Sequence, residues 1–154
     1  MNRLAELGLE LPAPFPAYGN YSMAARAGRL LISTGHVPVD GPHFVTGKLG
    51  RELTTEQGYR AARLAALSLL ATLRAELGSL DRIDHLVYLD GTVNATPDFT
   101  EHTAVINGAS DTLVEVLGDA GWHARLAMGV SSLPGGVAVE IQVVAEITAP
   151  DATG

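Results

Sequence analysis

Polar and apolar positions follow two periods along this chain. Between Trp122 and Ile147 they alternate: Leu126, Met128 and Val130 against Arg125, Ala127 and Gly129, then Val137, Val139, Ile141 and Val143 against Glu140 and Gln142. A period of two predicts strands. Pro134-Gly135-Gly136 breaks the run, so the pattern predicts an antiparallel hairpin turning at Ser131–Gly136. Upstream, Asn20–Ala25 and Arg29–Thr34 read as a second hairpin about Arg26–Gly28. Thr54-Thr55-Glu56-Gln57 has the form of a capping box, opening a helix that runs to about Leu77 and stops at Gly78. Its apolar stripe is Ala62, Ala66, Leu69, Leu70, Leu73 and Leu77. His85–Val93 predicts a strand. Thr96-Pro97-Asp98 predicts the start of a second helix, ending near Leu117 before Gly118. The order β-β-α-β-α-β-β implies an α+β fold, a mixed sheet with two helices on one face. The other face, expected to carry Ala127, Gly129 and Val144 beside charges, is too apolar for water alone and predicts association between subunits.

Composition narrows the class. The chain has 154 residues, 47% hydrophobic and 18% charged, which fits one globular domain. Met1–Pro16 reads as an arm packed on the outside, and residues 150–154 as a loose tail. No apolar run is long enough to span a membrane, and the acidic N-terminal segment does not read as a signal peptide. There are no cysteines, which excludes thiolate chemistry and fits a cytoplasmic protein. The net charge of −7, without a Lys/Arg cluster, disfavours nucleic acid.

The candidate chemistry lies in the C-terminal strands. Pairing Val130 with Val137 would set Ala127 opposite Glu140 and make Arg125 and Glu140 diagonal neighbours, roughly 7–8 Å apart. With small residues between them, the two would hold a small carboxylate ligand beside a proton-handling group, or form a solvated ion pair; the pattern leaves both open. His123 shares the parity of Arg125 and is either a proton donor or a solvated histidine. His36, just past Gly35, is equally open. His43, His85 and His102 read as solvent residues, and no histidine spacing suits a metal.

Arg29-Leu-Leu-Ile-Ser-Thr-Gly-His-Val-Pro38, Ala124-Arg125, Leu133-Pro134 and Val139-Glu140-Ile141 occur in an order and spacing that resembles the Rid family, the YjgF-type reactive intermediate deaminases also labelled L-PSP endoribonucleases. Asn107-Gly-Ala-Ser-Asp111 and Gly121-x-His123-Ala-Arg125 resemble a longer subgroup. The resemblance implies a chorismate-mutase-like fold, a barrel-like homotrimer with clefts at subunit interfaces, and no cofactor. It implies hydrolysis of enamines and imines such as 2-aminoacrylate to 2-ketoacids and ammonia. By position, Arg125 would clamp the substrate carboxylate and Glu140 would direct the attacking water. Tyr21, Thr34 and Gly35 would line the cleft, with His123 as a further contact, and the Ala127 carbonyl would meet the substrate nitrogen. Ala127 stands where many deaminases have Cys. Asn107 would be structural. A non-catalytic trimer that binds small carboxylates is the alternative. An endoribonuclease or a mutase acting on a cyclic diacid fits the charge pattern less well.

Overall fold

Thr54 opens the longest helix as its side-chain pattern requires. Its Oγ1 accepts from the Gln57 N–H at 3.2 Å, while Gln57 Oε1 accepts from the Thr54 N–H at 2.8 Å. The coordinates are a computed structural model describing residues 3–149. In chain order the elements are α1 (Arg3–Glu6), β1 (Ala24–Ala27), β2 (Leu30–Ser33), β3 (Val39–Asp40), β4 (His43–Phe44), α2 (Thr55–Leu77), β5 (Ile83–Asn94), α3 (His102–Leu117), β6 (Ala124–Val130) and β7 (Val139–Ile147). The expected loop after Val39 thus contains a small two-stranded ribbon, β3–β4.

The five-stranded sheet has the order β1-β2-β7-β5-β6. Helices α2 and α3 cover one face. The expected stripe of α2 is buried, and Leu86, Leu89, Val93, Val139, Ile141, Val143 and Ala145 meet it from the sheet. The α+β architecture is as the sequence pattern predicts, and β1 and β2 do form a hairpin, but its first strand is Ala24–Ala27 instead of Asn20–Ala25, with Arg26 and Ala27 paired to Leu31 and Leu30 rather than in the turn. The N-terminal segment packs Leu4, Leu7, Leu9 and Leu11 against this core. The expected tail at residues 150–154 lies outside the described residues.

The C-terminal hairpin is not formed. β6 pairs in parallel with β5, from Tyr88 opposite Ala124 to Asn94 opposite Val130. β7 pairs antiparallel with both β5 and β2. Strand β5 therefore lies between the two strands expected to face each other. The cause is the crossover: α3 carries the chain back along the sheet, so the next strand enters parallel to β5 at the edge. The segment 131–138 then crosses over β5 instead of making a tight turn. Helix α3 also starts later than Thr96. The Ala95 and Thr96 amides donate to Val130 and Leu49 carbonyls, which holds this segment as an irregular connection.

This arrangement reverses the expected faces of β6. Arg125, Ala127 and Gly129 lie on the helix-covered side, level with buried Leu89, Gly91 and Val93. Leu126 and Met128 lie on the open side, 46% and 45% exposed, and are joined there by Leu30 and Ile32 of β2. The uncovered face is more apolar than expected, through different residues.

Candidate functional site

Arg125 points from edge strand β6 toward α3. Its Nη1 donates to Ser110 Oγ at 2.9 Å, and its Nη2 donates to Asn107 Oδ1 at 2.8 Å and the Thr103 carbonyl at 3.1 Å. Among the described residues no carboxylate lies within ion-pair distance of it. Partial burial pulls the guanidinium below its ordinary pKa, and the charge of Asp111 opposes that pull. An arginine held by neutral acceptors keeps its charge available, and its planar fork suits a carboxylate. It opens on a cavity of about 470 Å³ whose wall includes Asn107, Ser110, Asp111, Trp122 and His123.

His123 is tied into the same network. Its Nδ1 lies 2.6 Å from the Gly121 carbonyl, which only accepts, so the proton sits on Nδ1. Its Nε2 then accepts from the Ser110 hydroxyl at 2.9 Å. Burial pulls the imidazole below the usual histidine value, and the nearby Arg125 charge adds to that pull.

Glu140 belongs to a second region. On β7 it stands in register with Thr92 on the open face, and its carboxylate presses against Gly35 at the end of β2. A Cβ built on Gly35 would lie 2.1 Å from Glu140 Oε1, so any larger residue there would push the carboxylate away. Burial raises the pKa of Glu140. Glu140 and Gly35 border a cavity of about 360 Å³ with Phe15, Tyr18, Tyr21 and Phe44. A smaller cavity of about 250 Å³ adjoins it, where Asp90, Thr92 and Gln142 meet Glu140. Tyr21 Oη accepts from the Tyr18 N–H at 3.0 Å, which folds this aromatic segment over the site.

The expected residues thus form two half-sites. Tyr21, Gly35 and Glu140 share one cavity, and Arg125 and His123 share the other. Thr34 stands beside Gly35 but lines neither; its carbonyl accepts from His36 Nδ1 at 2.9 Å. Arg125 and Glu140 do not flank a common gap within one chain. Arg125 is level with Leu89 and Glu140 with Thr92, and positions an odd number apart on β5 face opposite ways. The diagonal pairing expected from the hairpin is corrected accordingly. Ala127 does sit at the sheet edge. The Val130 carbonyl accepts from the Ala95 amide at 3.2 Å, so alternate residues of β6 direct their backbone groups toward β5, and Ala127 directs its own outward.

His36 is wholly buried. Its Nε2 lies 2.8 Å from Thr72 Oγ1, and burial lowers its pKa to about 4. It is a core residue bonded between β2 and α2. The residues not anticipated are Ser110, which joins Arg125 to His123, and the aromatic trio Phe15, Tyr18 and Phe44. Asn107, read as structural, holds Arg125 directly. Among the described residues no three His, Asp or Glu side chains gather to hold a metal, and no helix is long and apolar enough to cross a membrane.

Residues 1–147 match the family described as "YjgF/chorismate mutase-like, putative endoribonuclease". The chain belongs to the YjgF family. This YjgF-family chain is 42% identical to Protein TCP17 of Trypanosoma cruzi over 146 residues, covering 94% of the chain and 91% of that relative. The crystal structure of Atu1372 from Agrobacterium tumefaciens, a protein of unknown function, is 40% identical with a TM-score of 0.89, covering 96% and 91% of the two chains. RidA from an Antarctic Psychrobacter is 27% identical with a TM-score of 0.59, covering 88% and 94%. The mixed sheet and paired helices of this YjgF-family chain are those of the chorismate-mutase-like fold.

Proposed function

We propose that the protein hydrolyses small carboxylate-bearing enamines and imines of the 2-aminoacrylate type to 2-ketoacids and ammonia, as a homotrimer. Each active site would combine Arg125 of one subunit with Glu140 of the partner subunit. The observation that carries this reading is the Arg125 guanidinium, fixed by Ser110, Asn107 and the Thr103 carbonyl, unpaired with any carboxylate among the described residues and open to a cavity. The opposite placement of Glu140 is what makes a second copy necessary, and the exposed Leu30, Ile32, Leu126 and Met128 give that copy an apolar surface to cover.

The steps balance without a cofactor. Arg125 holds the substrate carboxylate bidentately. The terminal carbon of the enamine takes a proton from solvent, giving the protonated imine. Glu140, whose pKa burial raises, draws a proton from water as the oxygen attacks the imine carbon. Glu140 returns that proton to the carbinolamine nitrogen, the hydroxyl gives its proton to solvent as the C=O bond forms, the C–N bond breaks and ammonia leaves. General base assistance of this kind contributes ~10²–10⁴-fold, and positioning supplies the rest for a substrate that is already reactive. The endoribonuclease reading is less supported, because a net charge of −7 repels a phosphate backbone.

The test generates 2-aminoacrylate in situ with a pyridoxal-phosphate dehydratase and follows ammonia release. Wild type should exceed the spontaneous rate, and Arg125→Ala should return to it. No acceleration by wild type overturns the deaminase reading. Thermal stabilisation by 2-ketoacids without turnover would then mark a binding protein.

A further inference from the structure

A further cavity belongs to neither half-site. It has a volume of about 650 Å³ and is lined by Lys48, Arg51, Thr96, Phe99, His102 and Ser131, among others. It shares no lining residue with the cavities beside Arg125 and Glu140. Its size lies within the usual range for small-molecule sites.

Lys48 is held in place from the core. Asn94 is 4% exposed, and its Nδ2 donates to the Val137 carbonyl at 3.2 Å. That bond turns Oδ1 toward Lys48, whose Nζ donates to it at 2.7 Å and also to the Ser131 carbonyl. Both acceptors are neutral, and no carboxylate among the described residues lies within ion-pair distance of Nζ. An ammonium has three hydrogens, so one remains for a ligand. Arg51 brings a second cation from the same loop. Its Nε is engaged by Glu52 at 2.6 Å, and Glu52 does not line the cavity. On another wall, His102 packs edge-on against Phe99 at 5.2 Å, with its Nε2 close over Gly129. Thr96 also borders this cavity.

We propose that this cavity is an anion site that takes the phosphate group of a phosphorylated small metabolite. Lys48 and Arg51 line the same cavity, Arg51 being ion-paired to Glu52 outside it, and lysine suits phosphate as a point charge. Phe99 and Pro97 offer an apolar wall for the organic part. The site is separate from the deaminase reading and stands or falls without it.

The experiment is calorimetric titration of the full-length protein with inorganic phosphate, against chloride at matched ionic strength. Saturable binding is expected, weakened at least about tenfold in Lys48→Met and in Arg51→Gln, as loss of a charge-assisted hydrogen bond implies. Arg74→Gln, which removes an exposed charge from the end of α2, should bind as wild type does. Absence of phosphate binding, retention in either variant, or equal loss in Arg74→Gln overturns the proposal. Because Arg51 is exposed and outside the core, its variant keeps the test valid if Lys48→Met fails to fold.

Discussion

Arg125 and Glu140 lie on opposite faces of one sheet with strand β5 between them. If they act on one substrate, two subunits must share each site, and that can be read by complementation. The Arg125→Ala and Glu140→Gln proteins should each be inactive. Unfolded together and reassembled, they should regain about a quarter of wild-type activity, because random mixing reunites the two intact groups at that share of cyclic interfaces. Recovery of nothing from a mixture shown to contain hybrid trimers would place both groups in one chain's chemistry, or outside it.

Gly35 and Glu140 give a sharper test of the base. A Cβ on Gly35 meets Oε1 at 2.1 Å, Cδ at 2.7 Å and Cγ at 2.9 Å, so the Glu140 side chain as a whole must swing aside. Gly35→Ala should therefore fold with a melting temperature near wild type while deamination falls by about tenfold or more, within what a displaced general base loses. Paired melting curves and ammonia assays decide it. Unchanged turnover would remove Glu140 from the reacting water.

Local signals in the sequence account for local features of the fold. Thr54 and Gln57 announce the cap, and the alternation on each strand correctly separates Arg125 from Leu126 and Glu140 from Ile141. Strand pairing was not legible, because Pro134-Gly135-Gly136 resembles a hairpin turn while the α3 crossover decides the neighbour of β6 from a distance. The start of α3 was misplaced for a related reason: the amides at Ala95 and Thr96 bond to Val130 and Leu49, partners remote in sequence. The candidate site was legible as a residue set but not as a place. Asn107-Gly-Ala-Ser-Asp111 stood out as a motif, yet its role in holding Arg125 emerges only when β6 lies beside α3.

His36 makes acid stability measurable. Its pKa falls from 6.5 to about 4 through burial, so the unfolded chain binds this proton more readily than the folded one. The stabilising contribution is complete above the unfolded value, and is lost as pH drops from 6.5 toward 4. The full loss is about 3 kcal/mol. His123, also lowered, acts in the same direction. Urea melts across this window should show a shallower pH slope in His36→Gln than in wild type. Equal slopes would mean that His36 does not carry the effect.

Ser110 links the clamp to the imidazole, since its oxygen accepts from Arg125 and its proton goes to His123 Nε2. Ser110→Ala leaves Arg125 with only its Nη2 contacts to Asn107 and Thr103 and leaves His123 Nε2 without its donor. A stability loss of about 2 kcal/mol follows from the two hydrogen bonds removed. A purely structural role would end there. A positioning role requires more: KM for the carboxylate substrate should rise several-fold while kcat changes less, because a looser guanidinium grips ground state and transition state alike less well. Ser110→Thr keeps the hydroxyl and should restore KM. If Ser110→Ala melts lower but binds substrate as wild type does, Asn107 and the Thr103 carbonyl suffice to aim Arg125.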